Sequence, residues 1–319
     1  MTLIKQRGFT LVEITIATLI LAVLSFSFAG GYSYLARTNG ELATRDRMER
    51  LRVAVASAYR NNARVIEASA AREMFFAAGS TIANGTDASN AATLSALNRI
   101  VGYGSLSPVE AQVDELQGRF RYLVSNRLST PMPGGYTVFY RKIAIVSPGW
   151  NGSVEAGTTM DGATGAVTIA GDDFAVVIDG FQIQRELAEQ TVQRVDRVAR
   201  SYERYFTNRY LANVARDVSI DYFAATGATP ARWDAGGLAG NSGGVFANAS
   251  ALNMTQALGL AASDLQDAYG TAVQIDNSSA QARNPNNPIT AMSIPPYSAL
   301  VRATLTAGQT YVQSAVGSF

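Results

Sequence analysis

With 319 residues, the chain is long enough for two domains of ordinary size. Its 26 basic and 25 acidic residues leave a net charge of +1, which gives no field to hold nucleic acid or steer acidic ligands. It has no histidine and no cysteine, which rules out thiol catalysis, histidine acid–base catalysis, catalytic triads, the usual zinc sites and disulfides. No enzyme is expected. Stability must come from the core, from assembly, or from a hard cation held by oxygen ligands.

The N-terminus carries the sharpest signal. Lys5 and Arg7 lead into Gly8-Phe9, and from Ile14 to Leu35 no residue is charged. That matches the ~20 residues a helix needs to cross a bilayer. Glu13 stands at the start of this span, where a carboxylate costs on the order of 2.5–3.5 kcal/mol. Its partner should therefore be protein. A secretory signal peptide would be cut after the apolar run, and Ser25-Phe26-Ser27-Phe28-Ala29 is a poor site for that. A plain signal anchor would have no use for Glu13. The basic leader places the N-terminus in the cytoplasm and the remainder outside.

Lys5-Gln6-Arg7-Gly8-Phe9-Thr10-Leu11-Val12-Glu13 resembles the processing site of type IV prepilins and type II secretion pseudopilins. The resemblance implies cleavage after Gly8 by an inner-membrane prepilin peptidase and N-methylation of Phe9. It further implies an assembly role for Glu13, whose charge would attract the α-amino group of a neighbouring subunit's Phe9 in a low-dielectric bundle. The implied partners are copies of the chain or other pilins, reached through the N-terminal helix, and the inner-membrane assembly platform. The implied location is the inner membrane as a single-pass protein, then a periplasmic or extracellular filament. Many type IV pilins close a C-terminal loop with a disulfide; this cysteine-free chain is closer to the pseudopilins.

Beyond the span, Gly30-Gly31 marks an expected bend or melting point, at roughly 1 kcal/mol per glycine; small residues at a helix contact are the alternative. Glu41 to Arg72 reads as an amphipathic helix with Leu51, Val55, Ala58, Asn62, Val65 and Ile66 on one face. Ala78 to Asn90 reads as a loop, and Ala91 to Ile100 as a short helix. Strand patterns cover 119–125, 136–146, 166–169 and 174–178.

The order then restarts. Gln184 to Val214 reads as a helix, Thr226 to Asn248 as a loop, Leu252 to Asp267 as one or two short helices, and 271–275, 299–305 and 310–316 as strands. The expected fold class is α+β: a long N-terminal membrane and filament-core helix plus two tandem pilin-like modules, each a helix on an antiparallel sheet. The expected boundaries are 1–8 for the leader, 9–37 for the membrane and filament-core helix, 38–183 for the first module and 184–319 for the second. Asp114-Glu-Leu-Gln-Gly118-Arg-Phe120 and Asp264-Leu-Gln-Asp267-Ala-Tyr-Gly270-Thr271 each precede a sheet. Both resemble the Asp-Pro-Trp-Gly lead into the pseudopilin sheet.

Ser147-Pro-Gly-Trp150-Asn151-Gly152, followed by Gly171-Asp172-Asp173, is similar to the loop that holds calcium in major pseudopilins. The resemblance carries calcium over to Asp172 and Asp173, with Asp161 as a helper. Asn151 stands where the family often has an aspartate, which weakens the site. The other reading is that the two acids simply turn the chain. Tyr202, Tyr205, Phe206, Tyr210, Tyr222 and Phe223 have core spacing, with a ligand or subunit surface as the alternative. Arg194, Arg197, Arg200, Arg204, Arg209 and Arg216 alternate with Glu186, Glu189, Asp196, Glu203 and Asp217 and so read as a solvated face rather than a DNA grip. The function implied is a structural filament subunit, at a minor or tip position because the head is large. The alternative is an adhesin or DNA-uptake pilin that binds through its distal module.

Overall fold

The computed structural model describes residues 11–77, 79–224, 238, 246–277 and 296–319. The leader, Gly8, Phe9 and most of the expected 226–248 loop lie outside these residues. Helix α1 (Leu11–Asn61) is a single element of 51 residues, about 77 Å at 1.5 Å per residue. Its first 18 residues, Leu11–Phe28, are apolar, wholly exposed, and long enough to cross a membrane. The expected interruption at Gly30-Gly31 does not occur; the helix runs through it. Glycine weakens a helix without removing its backbone hydrogen bonds, and nothing lies within 4 Å of a Cβ placed on Gly31.

Further along, Met48, Leu51, Val55, Ala58 and Tyr59 are fully buried. The helix ends at Asn61 instead of Arg72. The Asn62 side chain donates to the Ala58 carbonyl at 2.9 Å, competing with the helix ladder for that acceptor. One further turn, α2 (Ala63–Ile66), follows.

The 78–90 stretch is more than a loop. Strand β1 (Glu73–Ala77) pairs with β2 (Ser80–Ala83), and β3 (Thr86–Asp87) joins the main sheet. Buried Ile82 rewards that pairing. Helix α3 (Ala91–Ile100) matches its expected limits, with Asn90 Oδ1 accepting from the amides of Ala92 and Thr93 at its N-terminus. Next come β4 (Arg121–Val124), β5 (Leu128–Met132), β6 (Tyr136–Tyr140), β7 (Lys142–Ser147), β8 (Thr159–Met160), β9 (Val167–Thr168) and β10 (Phe174–Asp179). The expected strand over 136–146 is thus two strands, broken at Arg141, whose side chain is fully buried.

Helix α4 (Gly180–Ala212) follows β10 with no linker, and Asp179 caps it by accepting from the Phe181 amide at 2.9 Å. It starts before Gln184 because that cap sits at the strand end. The C-terminal part holds β11 (Ala247–Asn248), α5 (Met254–Leu258), β12 (Gln274–Asp276), β13 (Ser298–Thr304) and β14 (Thr310–Val316).

The architecture is α+β. One antiparallel sheet has the order β3-β4-β7-β10, and another has the order β11-β12-β13-β14. The first shares a core with α1 around Leu51, Tyr59, Tyr122 and Ile145. The second shares a core with α4 around Tyr202, Phe206, Phe223 and Val301. Hairpin β5–β6 crosses between them: Tyr136 and Val138 pack with Ala188 of α4 and with Leu305.

Candidate assembly site

Glu13 lies on the exposed apolar part of α1. With Ile14, Ala17, Thr18 and Leu21 it lines a shallow groove of about 310 Å³. The nearby hydroxyls are turned inward: Thr15 donates to the Leu11 carbonyl at 2.8 Å and Thr18 to the Ile14 carbonyl at 2.9 Å. Such back-bonding keeps polar groups of an apolar helix satisfied. The groove thus carries one carboxylate on an otherwise apolar surface.

The head grips α1 a short way above this span. Gly40 faces Leu116 and the Trp150 ring so closely that a Cβ would overlap Leu116. The Trp150 indole donates to Glu41 at 3.0 Å, and Arg37 lies 4.8 Å over the same ring. One turn on, Thr44 accepts from the Glu115 amide at 3.1 Å, and Arg47 donates to the Val113 carbonyl at 2.7 Å while pairing with Glu115. These contacts work because Asp114, 1% exposed, folds its segment into a tight turn. Its Oδ1 accepts from the amides of Leu116 (2.9 Å) and Gly118 (2.7 Å), and its Oδ2 from the Ser147 hydroxyl (2.6 Å). The sequence pointed to Asp114 and Trp150 but not to Thr44, Arg47 or Glu41. Their only signal is polar residues one turn apart on a helix face that should be apolar.

The turn-and-acid motifs do come together. Asp172 Oδ2 accepts from the amides of Trp150 (2.5 Å) and Asn151 (3.1 Å), and its Oδ1 from the Asn151 side-chain amide (2.9 Å). Gly149 has φ +63°, and a Cβ there would strike the Asp172 carbonyl, so this turn needs glycine. Asp173 Oδ2 accepts from the Glu155 amide (2.9 Å) and the Thr158 hydroxyl (2.5 Å); its Oδ1 is buried without a hydrogen bond. Asp161 serves a separate turn, where the Ala163 amide holds its exposed carboxyl below the usual range.

Calcium asks for six to eight oxygens free to face it. Here N–H and O–H donors already occupy most of the carboxylate oxygens, and Asn151 supplies donors where an acid would supply charge. Among the described residues no three acidic side chains gather around a common point. The residues as folded fit a turn and do not fit an ion cage.

At the far end of α1, Glu67 and Arg141 are both fully buried. Arg141 Nε lies 3.5 Å from Glu67 Oε2, and Tyr59 donates to Glu67 Oε1 at 2.5 Å. The rest of the guanidinium donates to the carbonyls of Ser69, Ala71 and Ser125. Burial pushes the Glu67 carboxyl up and the Arg141 guanidinium down. The aromatic cluster of α4 is core: Tyr202, Phe206, Tyr222 and Phe223 are fully buried and Tyr205 nearly so. On its polar face Arg185 pairs with Glu189 and Arg197 with Asp264.

No curated protein and no solved structure matches this chain. Residues 3–28 match the family model described as the prokaryotic N-terminal methylation motif, the class III signal sequence of type IV pilins and pseudopilins.

Proposed function

We propose that the chain is a structural subunit of a type IV pilus or pseudopilus-type filament, at a minor or tip position. It is cut after Gly8, methylated at Phe9, and held in the inner membrane until α1 packs into the fibre core with the head facing outward. One observation carries this reading: the methylation motif, residues 3–28, contains an 18-residue apolar stretch of helix, Leu11–Phe28, that no described part of the head covers. Such a stretch is stable only in lipid or against other helices. Glu13 then offers its carboxylate to a neighbour's methylated N-terminus.

We further propose that the head is two modules, 38–183 and 184–319. Supporting this, each half has its own long helix, its own four-stranded antiparallel sheet and its own core. A head of that size is bulky for a repeating subunit, which favours the minor position.

Sheared filaments test both parts. Mass spectrometry should find the chain starting at methylated Phe9 and present in trace amount beside a more abundant pilin. Glu13→Val should insert and fold normally yet fall out of the filament fraction. An intact Lys5-to-Phe9 peptide in filaments, or wild-type incorporation of Glu13→Val, would overturn the assembly reading. Filaments made mainly of this chain would overturn the minor position.

A further inference from the structure

The Asp114 turn that grips α1 has a counterpart on α4. Asp267, 1% exposed, folds 267–271 as Asp114 folds 114–118. Its Oδ1 accepts from the amides two and four residues on, Tyr269 at 2.9 Å and Thr271 at 2.8 Å. Its own amide donates to the Thr271 carbonyl at 2.8 Å, as that of Asp114 does to Gly118 at 2.9 Å. The helix side repeats as well. Thr191 accepts from the Ala268 amide at 3.1 Å, as Thr44 does from Glu115 at 3.1 Å. Arg194 donates to the Gln266 carbonyl at 2.9 Å, as Arg47 does to Val113 at 2.7 Å. Both helices thus present Thr-x-x-Arg to an aspartate turn that opens into a sheet.

The two sites differ in what reaches the aspartate Oδ2. Asp114 Oδ2 takes its hydrogen bond from Ser147, within the same half. Asp267 Oδ2 takes its hydrogen bond from Arg64, on α2 at the end of the filament helix, at 2.8 Å. The Arg64 guanidinium also donates to the Thr271 hydroxyl and the Thr304 carbonyl and lies 5.0 Å over the Tyr269 ring. The Asp267 carboxylate is fully buried and the Arg64 side chain 27% exposed. A buried carboxylate stripped of its cation is strongly destabilising, so this bond couples the two halves.

We infer that the Asp267 turn is a second copy of the helix-gripping site, and that it takes the Arg64 guanidinium as its ligand, so that the distal half is tied to the end of the filament helix. This rests on the two-module reading of the head. Arg64 presents a planar fork to three acceptors at once, which a lysine ammonium on the same backbone cannot do.

Hydrogen exchange on the full chain in detergent micelles tests the inference. Arg64→Met should speed exchange at least tenfold over 266–273 and the first half of α4, and leave 112–120 and 44–55 as in wild type. Ser147→Ala should do the reverse. Arg64→Lys should fall between Arg64→Met and wild type, and it stands in if Arg64→Met does not fold. Unchanged exchange over 266–273 in the Arg64 variants would overturn the tie. Uniform acceleration of both halves by either Arg64→Met or Ser147→Ala would overturn the two-module reading beneath it.

Discussion

Glu67 and Arg141 are fully buried where α2, the β6–β7 break and the start of α4 meet. A lone ion pair in such a place does little for stability, because desolvation offsets the attraction. Burial is the largest influence on Glu67 and raises its pKa; the Tyr59 hydroxyl and the charges of Arg141 and Arg127 oppose it without prevailing. The folded value lies above the unfolded one, so the stability this group contributes is complete below its ordinary 4.5 and is lost as pH rises through the raised value. Glu67→Gln keeps the shape and drops the charge. Relative to wild type, its melting temperature should be higher at pH 7 than at pH 4.5, as thermal unfolding at the two pH values would report. A constant offset between the two would mean that Glu67 is not the titrating group. Arg141 itself was hidden in the sequence, since an arginine inside an apolar β-run looks like an outward-facing strand residue. Only the three-dimensional cluster of carbonyls from Ser69, Ala71 and Ser125 shows why it turns inward.

Regular elements with strong local signals were legible from the sequence. Helix α3 has an Asn90 cap and a clear apolar period, and the structure keeps both of its limits. Helix α4 and the longer strands of the two four-stranded sheets also fall near their expected positions, whereas β3 and β11 lie in stretches that read as loops. What escaped notice were short pairings whose stability comes from elsewhere. Strand β5 contains Pro131, which argues against a strand unless it lies at an edge, as here. Strand β8 holds only two residues, too few for any pattern, whereas its partner β9 falls within the expected 166–169 strand. The Asp172–Asp173 turn was visible as a motif, but the direction of its donors was not. Those donors set an expectation at this scale. Millimolar calcium, or its removal by a chelator, should leave the melting temperature of the head unchanged to within about 1 °C, because ligand-linked stabilisation needs a site that binds. A rise of several degrees with calcium alone would show that the loop reorganises around the ion.

At the scale of the molecule, the proposed boundary at Gln184 is crossed by contacts between the two halves. Hairpin β5–β6 belongs to the first half by sequence, but Tyr136 and Val138 cover Ala188 and Leu305 of the second. The Tyr136 and Tyr311 rings meet edge to face at 6.2 Å. Leu305→Ala in the full chain should cost about 2–5 kcal/mol, the usual range for a buried leucine. In a fragment covering 180–319, which lacks the hairpin, the same substitution should cost clearly less, because its partner surface is gone. Denaturant titrations of the four proteins would give both values; equal costs would mean that the hairpin contributes nothing to that contact. The sequence could suggest the repeat of helix, loop and meander. It could not reveal the crossing hairpin, because contact between distant segments leaves no local period.

Helix α1 is also a lever whose fulcrum is the grip around Thr44 and whose working end is Leu11. The arm between them is about 50 Å at 1.5 Å per residue. A tilt of only about 5° at the fulcrum swings the end by about 4 Å, most of the 5.4 Å pitch of a helical turn. On the proposed function, in which the Glu13 carboxylate meets a neighbour's amine, hydrogen-bonding reach tolerates far less error than that. Angular precision at the tip is therefore decided far from it, by Arg47, Glu115 and Trp150, and in the proposed filament a loosened fulcrum would spoil the aim of an untouched Glu13.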